Sequence, residues 1–306
     1  MRVAAIDVGT NTTRLIVAEV TAGGYRDLDR KLTFTRLGEG VGSSRQLKPE
    51  AIERTLKSVA EYLALAGELG ATRIRIAGTS ALRDAGNRDE FMAGAEKLAG
   101  STAEILVGEE EARLSFLGAT FGMASGRYLV CDIGGGSTEF VLGGGSGVSA
   151  QISLDIGAVR LTERYLVADP PATEEMLLME AAIDDELDVA VERIGEDPSA
   201  SFVGVAGTVT TMAAIHLGLE SYDSARTHHL VLTKKAIDDL YHMLASMGLQ
   251  RRRSIRAMPS GRADVIVAGA SILSRAMRRW NLEQVTVSER DILDGLVIDL
   301  IQNLEV

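Results

Sequence analysis

Cysteine is almost absent. Cys131 stands alone, so no intrachain disulfide and no multi-cysteine metal centre can form. It lies in an apolar, strand-like run, where a thiol packs as a small inert hydrophobe. Histidine is nearly as scarce, and His216, His228, His229 and His242 show no His-Glu-x-x-His or similar spacing, which argues against zinc chemistry. Positive charge is also in deficit: 32 Lys and Arg face 43 Asp and Glu, a net charge of −11. Long-range attraction to nucleic acid or an anionic membrane is therefore not expected. A polyanionic ligand is not excluded, because backbone amides, a few arginines and a divalent cation can hold phosphates locally. No uninterrupted apolar run is long enough to span a bilayer, and the opening residues Met1-Arg2-Val3-Ala4-Ala5-Ile6-Asp7 lack the apolar stretch of a signal peptide. A cytoplasmic protein is expected. The single tryptophan, Trp280, and the methionines read as packing elements rather than as a clamp for a base.

What the chain does have is enough apolar residues, 46% of 306, for two domains of ordinary size. It also has an internal echo. Ile6-Asp7-Val8-Gly9-Thr10-Asn11-Thr12-Thr13-Arg14-Leu15-Ile16-Val17 aligns without a gap on Cys131-Asp132-Ile133-Gly134-Gly135-Gly136-Ser137-Thr138-Glu139-Phe140-Val141-Leu142. Each copy reads as an apolar strand ending near Asp, a turn of small residues and a second apolar strand. After the first copy, the pattern predicts a strand over 28–36, a helix over 49–69 ended by Gly70, a strand over 73–77, a helix from Asn87 to Gly100, a strand over 103–107 and a helix over 109–121. The second half begins the same way. Strands are predicted over 127–132, 139–142 and 149–154, then helices over 158–166 and 173–194. A strand over 202–205 runs into Ala206-Gly207-Thr208, followed by helices ending at His216, capped by Thr233, and over 262–279, a strand over 284–287 and a helix from Asp291. Domains over 1–122 and 123–306 are expected, with the final helix, 291–306, free to pack back on the first. The cleft between two such α/β layers is the natural place for a ligand.

Two Asp-bearing hairpins and a late Val205-Ala206-Gly207-Thr208 turn together resemble the actin, Hsp70 and sugar-kinase superfamily. The resemblance implies two duplicated ribonuclease H-like domains. Chemically, turns of small residues present amides to phosphate oxygens, and an Asp on each opening strand can hold Mg²⁺ through oxygen or water ligands. Within the superfamily, four segments resemble the exopolyphosphatase/guanosine pentaphosphate phosphatase (Ppx/GppA) family. They are Asp7 to Arg14, Gly78-Thr79-Ser80-Ala81-Leu82-Arg83-Asp84-Ala85, Val107-Gly108-Glu109-Glu110-Glu111-Ala112-Arg113 and Asp132 to Glu139. Arg262-Ala263-Asp264 with Gly269 adds a weaker match. The chain is too short for the helical tail of the family's longer members, so it resembles the short, two-domain form.

That resemblance implies a phosphoanhydride hydrolase acting on inorganic polyphosphate or, alternatively, pppGpp. It puts the water-activating base on Glu111, with Glu110 as fallback, and the metal- and phosphate-organising acid on Asp132. A phosphate-binding arginine falls on Arg83, and further phosphate contacts on Gly9, Thr10, Asn11, Thr12, Thr13, Arg14, Gly134, Gly135, Gly136, Ser137, Gly207 and Thr208. Mg²⁺ would be held by Asp7 and Asp132; Mn²⁺ and a monovalent cation are further ions the family admits, and a homodimer is compatible with it. Hydrolysis of a phosphoanhydride needs a positioned phosphoryl group, neutralised charge and a group to deprotonate water. Glu109-Glu110-Glu111 also suits a plain role, since acids in a first turn favour the helix dipole. Arg83 and Arg113, taken alone, would serve as surface ion-pair partners. Arg251-Arg252-Arg253 with Arg256 is the one basic concentration, and reads either as a holding site for a long polyanion or as a solvated helix start. A nonenzymatic nucleotide-binding protein of the actin/Hsp70 kind is the contrasting class, but it would have to grip adenosine through the single glycine of Ala206-Gly207-Thr208.

Overall fold

Both echoed segments fold as antiparallel hairpins inside a sheet. The computed structural model describes residues 1–303, and its chain divides into two units: Met1–Phe121 with the segment from Asp291, and Gly122–Arg290. The first unit opens with β1 (Arg2–Val8), β2 (Thr13–Thr21) and β3 (Gly24–Thr33), followed by α1 (Val41–Ser44) and α2 (Pro49–Glu68). Then come β4 (Arg73–Gly78), α3 (Ser80–Asp84), α4 (Arg88–Ala99), the short β5 (Glu104–Ile105) and α5 (Gly108–Thr120). The sheet order is β3-β2-β1-β4-β5, with β1, β4 and β5 parallel. Pro49 starts α2, and Gly100, at φ 65°, stops α4 in a left-handed conformation.

The second unit repeats the plan. Its elements are β6 (Arg127–Ile133), β7 (Thr138–Gly144), β8 (Gly147–Leu154), α6 (Ala158–Tyr165), α7 (Thr173–Ile194), β9 (Ala200–Val205) and α8 (Ala206–His216). The chain continues through α9 (Ser224–Thr227), β10 (Val231–Thr233), α10 (Lys234–Ala245), α11 (Leu249–Arg253), α12 (Ile266–Arg279) and β11 (Gln284–Val287). The order β8-β7-β6-β9-β11 matches that of the first sheet, with β10 added at the edge. This is the duplication that the sequence echo suggested, in the ribonuclease H-like arrangement that the resemblance implied. The chain then returns to the first unit as α13 (Ile292–Gln302). The predicted extension of that helix over 304–306 falls outside the described residues.

Several predicted boundaries move for identifiable reasons. The third strand ends at Thr33 rather than near Arg36, because the following residues turn onto the β1–β2 turn: Arg36 N donates to Asn11 O at 3.0 Å and Gly38 N to Thr10 O at 2.9 Å. The helix predicted from Arg262 begins at Ile266, and Arg262 itself reaches back to Gly207 O (2.7 Å) and Thr211 Oγ1 (2.8 Å). The basic run is not one exposed face. Arg252 is only 4% exposed and donates to Asp169 Oδ1 at 3.1 Å, while Arg256 pairs with Glu220. Of the three consecutive arginines, Arg251 and Arg253 remain exposed. Among the described residues no helix is long and apolar enough to cross a membrane.

Strand parity decides which side chains reach which layer. Ala4, Ile6 and Val8 of β1 point into the apolar cluster shared with α2 and α4, whereas Val3 and Ala5 point into the one built with α5 and α13. Asp7 shares the parity of Val3 and Ala5, and Arg14 that of Ile16, so both face the α5/α13 side. Helices α5 and α13 meet through glycines. A Cβ on Gly118 would lie 1.9 Å from Asp291 O, and one on Gly295 would lie 1.9 Å from Leu114 O. Asp291 caps α13, its Oδ1 accepting from Leu293 N at 3.0 Å, and Asp294 Oδ2 accepts from Asp291 N at 3.3 Å. Asp294 is fully buried and is satisfied by Tyr25 and Arg30 of β3. Gly295→Ala is expected to destabilise the protein by about 1–3 kcal/mol or more, since backbone must move to admit the methyl. Urea denaturation checks this; a loss below about 0.5 kcal/mol would show that the helices do not need this approach.

Candidate active site

The two echoed turns have the same backbone. In the first, Gly9 N donates to Thr12 O at 2.9 Å and Val8 faces Thr13; in the second, Gly134 N donates to Ser137 O at 3.0 Å and Ile133 faces Thr138. A side chain on either glycine would crowd the accepting carbonyl, at 3.0 Å and 3.1 Å. The first turn is braced by Arg36 N and Gly38 N, as above, and by Thr13 Oγ1 against Thr35 Oγ1 at 2.8 Å. Arg36 is held at φ 49°, a left-handed conformation uncommon for a residue other than glycine. The second turn is braced by α6, whose Ala158 N and Val159 N donate to Gly134 O and Gly135 O, and by Arg160 Nε on Gly136 O at 2.7 Å.

Beside the first turn, the first unit brings Asp7, Arg14, Arg83 and Glu111 together. Asp7 and Arg14 are direct cross-strand partners, and Arg14 donates Nε (2.9 Å) and Nη2 (2.7 Å) to Asp7 Oδ2. Arg14 Nη1 donates to Asp291 Oδ2. Its guanidinium, expected to hold phosphate, is thus committed to two carboxylates. Burial works against its charge, but Asp291 and Asp7 more than offset this and keep it protonated. Asp7 Oδ1 is buried with no hydrogen-bond partner among the described residues. Burial pushes the Asp7 carboxyl up, and Arg14 only partly reverses this.

Arg83 comes from α3, which the sequence reading missed because it is a single turn following β4. It donates Nη1 to Leu106 O at 2.9 Å and to Glu111 Oε2. Glu111 is buried on α5, and burial raises its pKa from 4.5 to about 6 against the opposing pull of Arg83. Glu110, the fallback, points elsewhere. It accepts Arg113 Nε at 2.8 Å and Nη2 at 2.7 Å, and Arg113 Nη2 also reaches Asp299 Oδ1 at 2.6 Å. Of the three consecutive acids, Glu111 alone is buried, paired with Arg83.

In the second unit, Asp132 is buried on β6, directly across from Glu139 on β7 and Val205 on β9. Val205 leads directly into α8, so the late Ala206-Gly207-Thr208 turn expected from the sequence is the start of a helix. Ala206 sits at φ 65°, and Gly207 leaves the room in which Arg262 lies, since a Cβ there would be 2.0 Å from its Nη2. Thr208 is buried against Gly269. Glu139 is a buried acid that the sequence analysis gives no role. It is 1% exposed, with Ser153 Oγ donating to Oε1 at 2.7 Å. The available signal was its place in the echo, where an acid aligns with Arg14.

The donor set suits a hard, water-retaining cation. Within the second unit, the buried carboxylates of Asp132 and Glu139, paired across β6 and β7, are of the oxygen type by which Mg²⁺ is usually held. Among the described residues no group of three or more His, Cys, Asp and Glu is placed to hold a metal ion.

Residues 16–304 match the Ppx/GppA phosphatase family. The chain is 42% identical to Exopolyphosphatase 2 of Mycobacterium tuberculosis over 315 residues, covering 98% of each. Among solved structures it is similar to an exopolyphosphatase-like protein at 34% identity and TM-score 0.94, covering 100% of this chain and 99% of the other. It is also similar to the Aquifex aeolicus member of the Ppx/GppA family, at 30% identity and TM-score 0.86, with coverage of 100% and 99%.

The raised pKa of Glu111 has a consequence for stability. The folded chain holds that proton more tightly than the unfolded one, so the benefit is full below about pH 4.5 and lost as pH rises through about 6. Glu111→Gln should therefore gain on the wild type as pH rises over this interval. Urea titrations of both proteins at pH 4.5, 6 and 8 test this. A difference independent of pH would mean Glu111 titrates normally.

Proposed function

The chain belongs to the Ppx/GppA phosphatase family, and on that footing we propose that it is a cytoplasmic exopolyphosphatase, releasing terminal orthophosphate from inorganic polyphosphate. The observation that carries the reading is the buried Glu111, with a pKa of about 6 and held by Arg83. A carboxylate of that pKa is ionised at pH 7 yet basic enough to accept a proton from water. The amides of the turn at 9–12, with Arg83, hold and neutralise the terminal phosphoryl group, and the turn at 134–137 is the second phosphate-binding turn that the family resemblance implies. Water oxygen bonds to the terminal phosphorus, its proton passes to Glu111, and the bridging P–O bond breaks with its electron pair on the leaving chain. Mg²⁺, for which the family resemblance implies Asp7 in the first unit and Asp132 in the second, would supply positive charge to the phosphate oxygens. Arg14 acts on the reaction through Asp7.

Phosphate release measured with polyphosphate and pppGpp side by side tests the reading. The account expects release from polyphosphate at the higher kcat/KM, and its loss in EDTA. Glu111→Gln should lower kcat by roughly 10²–10⁴, and Glu110→Gln, which loses only a surface pair, should act far less. Equal losses in the two variants, or full activity in EDTA free of contaminating metal, would overturn the assignments. A higher kcat/KM with pppGpp would transfer the reading to that substrate. Asp132→Asn should weaken Mg²⁺ binding in calorimetry as well as slow the reaction; unchanged Mg²⁺ affinity would remove Asp132 as a ligand.

A further inference from the structure

We propose that Asp291 is a positioning residue for this site: through Arg14 it fixes Asp7 with one carboxylate oxygen clamped and the other left available. The inference rests on the function proposed above.

The geometry is a chain of three charged groups reaching across the first unit. Asp291 lies 277 residues from Arg14, yet its Oδ2 accepts Arg14 Nη1. The rest of the guanidinium is thereby turned onto Asp7, with Nε and Nη2 both on Oδ2 at 2.9 Å and 2.7 Å. Asp7 Oδ1 receives no hydrogen bond among the described residues, although it is buried. A buried, unsatisfied carboxylate oxygen is costly unless something occupies it during function. Asp291 is itself held rigidly, since its Oδ1 caps α13 at Leu293 N and its backbone carbonyl is pressed against Gly118 of α5. The two oxygens of Asp291 thus do different work: one ends a helix, and the other orients Arg14. A cap alone would be served as well by Ser or Asn, whereas only a carboxylate pairs with a guanidinium by charge.

That distinction provides the test. Asp291→Asn keeps the cap and removes the charge, so α13 should stay folded and the melting temperature should change little. A crystal structure of the variant is expected to show Arg14 no longer placing both donors on Asp7 Oδ2. In phosphate release from polyphosphate, kcat should fall about tenfold or more while KM changes less than about twofold. In an Asp7→Asn background the same substitution should add almost nothing, because Asp291 acts through Asp7. An unchanged Arg14–Asp7 pair in the crystal overturns the proposal, whatever the activity. So does a wild-type kcat, a change in KM alone, or an equal loss in the Asp7→Asn background. Failure of the wild type to release phosphate would instead overturn the proposed function, and the crystallographic comparison would still decide the role of Asp291.

Discussion

Burying several ionised side chains in one place dictates how the first unit must be built. Asp7, Glu111 and Asp291 are buried carboxylates, and two arginines, Arg14 and Arg83, stand between them. Removing one partner from such a group leaves an uncompensated buried charge, which costs about 3–5 kcal/mol. Every element that contributes must therefore hold its place: the β1–β2 hairpin for Asp7 and Arg14, α3 for Arg83, α5 for Glu111, and α13 for Asp291. The glycine contact between α5 and α13 follows from the same need, because it sets Asp291 down beside Arg14. Three acids against two arginines leave one negative charge in excess, which favours a cationic ligand.

The two units share a sheet order and a turn but differ at the position that matters chemically. Opposite Asp7 stands Arg14; opposite Asp132 stands Glu139. In the first unit a cation on the neighbouring strand clamps the aspartate. In the second, two buried carboxylates, Asp132 and Glu139, face each other across the strand pair. One duplicated hairpin thus yields a base-bearing, arginine-rich half and an acid-rich half.

Much of this was legible in the sequence, because the strongest signals were local. The echo of Ile6 to Val17 on Cys131 to Leu142 gave both hairpins and the matching turns. Pro49, Gly100 and Thr233 marked helix ends by their own backbone preferences. What escaped was non-local. Asp291 reads as an ordinary helix cap, and only the folded chain shows its second oxygen on Arg14. Arg252 reads as part of a solvated basic run, and only its pairing with Asp169 shows why it is buried. The choice between Glu110 and Glu111 was also made on resemblance, whereas their opposite surroundings, Arg113 on one side and Arg83 on the other, become visible only when α3 and α5 are packed.

The central claim is that burial poises Glu111 to take a proton from water near neutral pH. Infrared difference spectroscopy, wild type minus Glu111→Gln across a pH series, reads that carboxyl directly. The account predicts a single carboxylate band titrating near pH 6. Titration near 4.5, the value of an exposed glutamate, would contradict it.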